Sequence, residues 1–227
     1  MSSTRSGTPT AARRPGQYGF ETIRRHAAYT LLGLALLVTL TVMVGMAAGF
    51  RSGVFVVAEI ALIALMLTGG RAITDRLDRR ERGVAGEVKV GAELEKLSDH
   101  GWLALHDVQT GRGNIDHVAI GPGGLIAIET KSHAGRRSVD RIDPAWLKQS
   151  YAQKCWLERV TGTKADGLLV FSNAYLDRHI SRRRGVLILP ARSLVTQLQR
   201  RRTVLSADEV QALHGKLCAA LDSADAS

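Results

Sequence analysis

At 227 residues the chain is long enough for one domain and an appendage. Its two cysteines, Cys155 and Cys218, have neither metal nor redox spacing and read as small apolar residues in a reducing compartment, with a disulfide between them as the unsupported alternative. The formal charge of +10 is unevenly placed: residues 1–82 hold 11 Lys+Arg against 5 Asp+Glu, net +6, and residues 83–227 hold 20 against 16, net +4.

Residues 1–28 read as a basic tail. Up to Gln17 it is rich in Ser, Thr, Arg, Gly and Pro with nothing to bury, hence disordered, and Phe20 to Ala28 reads as an interfacial helix. Residues 29–70 read as a transmembrane helical hairpin. Tyr29–Phe50 is 22 residues without a charge, long enough to cross a bilayer as a helix. Gly53–Gly70 is a shorter second span interrupted by Glu59, with Arg51-Ser52 as the tight turn between them. A buried helical pair is the competing reading. Arginines crowd both outer flanks (Arg5, Arg13, Arg14, Arg24, Arg25, then Arg71, Arg76, Arg79, Arg80, Arg82), while the turn has only Arg51. The positive-inside rule then places both termini and the remaining domain in the cytoplasm, against anionic membrane lipid. Glu59 lies about 12 Å along the helix from Arg51. It reads as a helix contact or oligomer seam, or as a protonated acid bonded within the hairpin.

Residues 71–82 form a charged connector with helical i, i+4 pairs Asp75/Arg79 and Asp78/Arg82. A domain over 83–227 follows. Val84–Ser98 has the apolar spacing of a helix with one buried face, and Glu87 lies beside that face. Gly101 ends it and Trp102–Val108 is the first strand. In QTGRGN, Arg112 is placed to meet a phosphate.

Asn114–Lys131, NIDHVAIGPGGLIAIETK, is the centre of the domain. Ile115–Ile120 and Leu125–Lys131 are strands joined by a turn over Gly121-Pro122-Gly123-Gly124. Strand alternation puts Glu129 and Lys131 on one face, and the hairpin brings Asp116 to the same end. Two carboxylates make a hard-oxygen site for Mg²⁺ or Mn²⁺, and a lysine beside them can orient water or offset charge on a phosphate in transition. These are the parts of a metal-assisted phosphodiester hydrolase. The competing reading is a capped turn and a solvated Glu/Lys pair, but charges ending a strand as apolar as Leu125–Ile128 need a reason to be there. His117 follows Asp116 and points to the opposite face, so it reads as structural.

Ser132–Ile142 reads as a basic loop or short hairpin beside the site, carrying Arg136, Arg137 and Arg141. Pro144 opens a helix to about Val160, with Gln149, Gln153 and Trp156 along one face. Gly167–Ser172 and Gly185–Pro190 read as strands buried on both faces. Arg178, His179, Arg182, Arg183 and Arg184 form one basic patch and Arg200, Arg201 and Arg202 another, each a phosphate contact or a solvated surface. Ser206 caps a last helix ending near Leu221. No GxxxxGK[ST] loop is present, so ATP use is not indicated.

The blocks GVAGEVKVGAELEKL, WLALHDV and NIDHVAIGPGGLIAIETKS occur in an order that resembles the nuclease-related (NERD) domain over roughly Gly83–Gly162. That domain is similar to the PD-(D/E)xK, restriction-endonuclease-like superfamily. The resemblance implies an α/β fold: a central mixed sheet of about five strands flanked by helices, here preceded by the two transmembrane helices. It implies Glu87, Asp116 and Glu129 as metal-site acids, Lys131 as the catalytic lysine, and Gln149 as the supporting glutamine, with Gln153 the less certain match. It implies Mg²⁺ or Mn²⁺ as cofactor and nucleic acid as substrate, DNA ahead of RNA. A vestigial site in a nucleic-acid- or protein-binding module is the alternative, and a structural membrane protein a third reading.

Overall fold

The structure, a computed structural model, describes residues 17–48, 53–111 and 113–225. The tail before Gln17, the Arg51-Ser52 turn and Arg112 lie outside the described residues, as does the side chain of Glu59. The chain divides into two compact units, one of Tyr18–Arg82 and one containing Gly83–Ser227.

The first unit holds α1, Gln17–Ala48, and the first part of α2, Gly53–Glu95. The hydroxyls of Thr39 and Thr41 donate to the Ala35 and Leu37 carbonyls four residues back, at 2.9 and 3.0 Å. Both polar groups are therefore satisfied inside their own helix. Among the described residues no helix is long and apolar enough to cross a membrane. The two transmembrane helices expected over 29–70 are thus not supported there, and much of that stretch falls on side chains outside the description. The connector and the first domain helix are not separate elements. α2 runs unbroken through both, because Ala72 to Glu95 holds no proline and its three glycines, Gly83, Gly86 and Gly91, each cost only about 1 kcal/mol in a helix. Arg82 turns its Nε to the Asp78 carbonyl at 3.0 Å.

In the second unit a six-stranded mixed sheet is flanked by helices. Its strands are β1 (Leu103–Thr110), β2 (Gly113–Gly121), β3 (Gly124–Lys131), β5 (Ala165–Phe171), β7 (Ser181–Arg183) and β8 (Val186–Pro190), in the order β1-β2-β3-β5-β8-β7. β1, β2 and β3 form an antiparallel meander; β3, β5 and β8 are parallel; β7 returns antiparallel. The step from antiparallel to parallel pairing at β3 requires a crossover, which α3 (Pro144–Thr161) supplies. The apolar runs of β5 and β8 are buried on both faces because each lies inside the sheet.

Alternation along β3 sorts the core into two layers. Ile126 and Ile128 pack with Val90 and Leu94 of α2, with Leu97 in the turn after it, and with Leu194 and Leu198. Leu125 and Ala127 pack with Leu157 of α3 and with Val210, Leu213 and Leu217. The last two groups come from α4 (Leu194–Gln199) and α5 (Ala207–Asp225). Ser206 and Glu209 close a reciprocal capping box on α5, with the Ser206 N–H donating to Glu209 Oε2 at 2.7 Å and the Glu209 N–H to Ser206 Oγ at 3.3 Å.

The turn between β2 and β3 is tight because Trp102 lies across it. A Cβ on Gly121 would fall 2.2 Å from the Trp102 ring, so only glycine fits. Arg201 clamps the same turn from outside: its Nε donates to the Gly123 carbonyl at 2.9 Å and its guanidinium pairs with Asp166. Its fork is engaged within the fold, which removes Arg201 from the expected phosphate-contact patch.

The basic stretch after β3 is a second, smaller sheet. β4 (Gly135–Arg137) pairs in parallel with β6 (Ala174–Leu176), setting Arg136 beside Tyr175. A short hairpin was one expectation for this stretch. The partner comes instead from beyond β5, because β3 and β5 are parallel and deliver both following segments to the same sheet edge.

Candidate active site

The end of the β2–β3 hairpin gathers the acids. The ladder pairs His117 with Ile128 and continues to Gly121 with Gly124, which places Asp116 and Glu129 at the level just beyond. Asp116 is buried, and its Oδ2 accepts the Thr130 N–H at 2.7 Å. Glu129 is also buried; Lys131 Nζ stands 2.6 Å from Oε1, and Gln153 Nε2 donates to Oε2 at 2.5 Å. Asp116, Glu129 and Lys131 therefore meet at one end of the sheet, carried there by strand register.

Two further acids share the charge. Glu87 arrives on α2, and its proton affinity is pushed up to about 7 by burial first, then by Asp107 and Glu129, with Lys131 opposing. Asp116 is held well above the usual carboxylate range by burial, then by Glu129 and Glu87, against the Thr130 N–H and Lys131. Asp107 is the acid that sequence reasoning passed over. It lies in β1 between the pairs His106–His117 and Val108–Ile115, directly across from Asp116, and its backbone takes a left-handed φ of 50°. A non-glycine residue in that conformation is strained, a feature that clusters at functional sites. The available signal was an acid inside a strand otherwise buried, the same anomaly that drew attention to Glu129.

The glutamines divide differently from the expectation. Gln153 is buried and bonds Glu129 directly, with a second bond to the Asn114 carbonyl at 3.2 Å. Gln149, the expected match, is exposed and only meets Lys131 Nζ, at 3.4 Å. Both lie along the same side of α3, one turn apart, and Gln153 is the turn that reaches under the sheet edge.

Glycine sets the approach of α2. A Cβ on Gly86 would stand 2.6 Å from Ser172 Oγ and 2.7 Å from Ser132 Cβ, at the ends of β5 and β3. Lys89 fastens the same helix turn by donating to the Ser172 carbonyl at 2.8 Å. Gly86→Ala is expected to push α2 away from the sheet edge and carry Glu87 with it. We expect a cost of about 1–3 kcal/mol, read as a lower thermal midpoint. An unchanged midpoint would mean that α2 does not need this contact.

His117 and His106 form a structural pair. Their Nδ1 atoms stand 2.8 Å apart across β1 and β2, with the rings edge to face. Burial lowers the proton affinity of both, and His117 is lowered further by His106. This agrees with a packing role rather than that of a general base. Both cysteines are free.

The donors suit a hard divalent cation. Every candidate ligand is a carboxylate oxygen, and the mutual repulsion that raises Glu87 and Asp116 is what a cation would relieve. Gln153 Oε1 is buried without a hydrogen-bond partner beside Glu129, an acceptor suited to an ordered water. Among the described residues no group of three or more His, Cys, Asp or Glu is arranged to hold a metal unaided. Mg²⁺ ordinarily takes one or two carboxylates and completes its shell with water and substrate phosphate.

Neither a curated protein nor a solved structure matches the chain. Residues 82–181, a stretch that contains every acid, the lysine and both glutamines of the site, match the family model of the nuclease-related domain.

Proposed function

We propose that the protein is a membrane-anchored, cytoplasm-facing nuclease that hydrolyses phosphodiester bonds with Mg²⁺ or Mn²⁺, on DNA ahead of RNA. The observation that carries this reading is the crowding of Asp116, Glu129 and Glu87 around Lys131 at one sheet edge of a nuclease-related domain. Asp116 and Glu129 would hold the cation and Glu87 would complete its surroundings. A bound divalent ion supplies Lewis acidity toward a phosphate oxygen and acidifies water. Lys131, whose ammonium lies 2.6 Å from Glu129, would offset the charge that develops on the phosphate. Gln153 holds Glu129 in place, and Gln149 steadies Lys131 from the open side.

Membrane anchoring is supported by the uncharged run Tyr29–Phe50 and by the outward apolar side chains of α1. Tyr29, Leu32, Leu36 and Met46 are each at least 68% exposed, an arrangement costly in water and favourable in lipid. The arginines flanking residues 29–70 support cytoplasmic termini. Retention in the membrane fraction after an alkaline wash would agree with the anchor, and release would remove it.

The central test uses the purified full-length chain with labelled DNA and RNA, in Mg²⁺ or Mn²⁺ and in chelator. Cleavage is expected with metal and none with chelator. Cleavage that survives chelation, or a folded protein that cuts no nucleic acid under any condition, would overturn the reading.

A further inference from the structure

A groove opens directly beside Lys131. It is a cavity of about 1210 Å³ whose walls include His133, Arg136, Arg137, Arg141, Trp146 and Tyr175. Lys131 Nζ stands 5.6 Å from the Trp146 ring centre, so the groove begins at the candidate active site. Trp146 rests against His133, with ring centres 4.7 Å apart, and against buried Phe171 at 6.1 Å, which leaves it half-buried. Tyr175 is 63% exposed, with the Arg192 guanidinium 5.4 Å from its ring centre. The β4–β6 ribbon sets Arg136 beside it.

The charge of the groove is unbalanced. Its two acids are engaged locally: Asp143 caps α3 by accepting the Ala145 N–H, and Asp177 accepts from Ser138 Oγ at 2.6 Å and the Val139 N–H at 2.9 Å. The side chains of Arg136, Arg137 and Arg141 donate to no acceptor among the described residues. Positive charge is felt at His133, whose proton affinity is lowered by burial, then by Arg137 and Lys131. The wall is held in shape by Asp177 and by Arg183, which donates to the Val139 carbonyl at 2.6 Å.

We propose that this groove binds an unpaired nucleic-acid strand, with bases stacked on Tyr175 and Trp146 and phosphates held by Arg136, Arg137 and Arg141. The proposal names the substrate class of the site above and rests on the nuclease reading for where the strand is cut. Basic side chains alone would suit a duplex equally. The aromatic faces decide: bases in a duplex stack on one another and show proteins only their edges, whereas an unpaired strand offers its faces. A duplex could reach the arginines and would leave the exposed part of the Tyr175 ring uncovered.

The test measures binding by the full-length chain, in chelator so that nothing is cut. The probes are short unpaired deoxy- and ribo-oligonucleotides, a blunt duplex and heparin. Tyr175 is the chosen position because it is exposed and its loss should not disturb folding. We expect Tyr175→Ala to weaken unpaired-strand binding about tenfold, Tyr175→Phe to retain it, and binding of duplex and heparin to change far less. Arg137→Ala should weaken all three probes, because phosphate and sulfate contacts are not selective. Equal losses of Tyr175→Ala on all three probes, or none on the unpaired strand, would overturn the proposal. The two readings fail separately. Tyr175-dependent binding in a protein that cuts nothing would keep the groove and remove the nuclease. Metal-dependent cleavage of unpaired strands that Tyr175→Ala leaves untouched would do the reverse.

Discussion

Lys131→Ala is expected to lower nucleic-acid cleavage about 10²–10³-fold while leaving the protein folded, the size of effect found when one preorganised charge-stabilising donor is removed. The lysine is partly open to solvent at 18% side-chain exposure, so the alanine variant buries no new polar group of its own. It leaves Glu129 with Gln153 as its side-chain partner, which softens the structural cost. Glu129→Gln attacks the same pair from the other side: it keeps the shape and removes the charge that would hold the cation. Its cleavage loss should be at least as large and should not recover with added Mn²⁺. Single-turnover cleavage together with thermal unfolding separates chemistry from folding for both variants. Full activity in Lys131→Ala would remove the lysine from the mechanism and leave the pair as a buried ion bridge.

Metal and pH are expected to act on stability through the same acids. Glu87 binds its proton more tightly in the folded protein, at about 7 against an ordinary 4.5. A raised folded-state value means stability that is fully present below about pH 4.5 and lost as pH rises through about 7. Asp116 is shifted in the same direction for the same reason. Metal-free protein should therefore lose about 3 kcal/mol between about pH 5 and pH 8, for Glu87 taken alone. Mg²⁺ should raise the thermal midpoint at the upper end of that range and much less at the lower end, because the cation competes with the protons. Glu87→Gln should flatten the metal-free profile. A midpoint that neither pH nor Mg²⁺ moves would mean that the acids are too far apart to share a cation.

The aromatic groove gives this edge a division of labour. Acids and lysine lie at the strand ends of β2 and β3, where register holds them, while the groove is built from the segments that follow β3 and β5. Chemistry would thus depend on the sheet, and strand selection on the ribbon beside it. Changes at Tyr175 should alter binding more than turnover, and changes at Lys131 the opposite.

Much of this was legible without coordinates. The β2–β3 hairpin could be read because alternation and a glycine-rich turn are local signals, and pairing two such strands brings Asp116 to Glu129 and Lys131 with no further information. The two apolar runs after the capped helix could be read as buried strands, while the mixed sheet they join was implied by the resemblance. Glu87 could be named only by resemblance, since a glutamate beside a helical apolar face usually points to water.

Other features were decided by tertiary structure. α2 continues through Gly83 because its last turns are held against the sheet, by Gly86 at the strand ends and by Val90 and Leu94 in the core. Gln153 rather than Gln149 reaches Glu129 because the seating of α3 on β3 and β5 chooses which turn faces inward, and helical spacing treats the two alike. Asp107 joins the acids only through pairing with β2, and Arg201 is withdrawn from solvent by a turn 78 residues away. The groove is the furthest from sequence: Arg136 and Tyr175 meet because parallel strands deliver distant segments to one edge. Local periodicity determines which residues form each strand and helix. Which side chains share a site depends on contacts between distant segments, and these exist only once the sheet has formed.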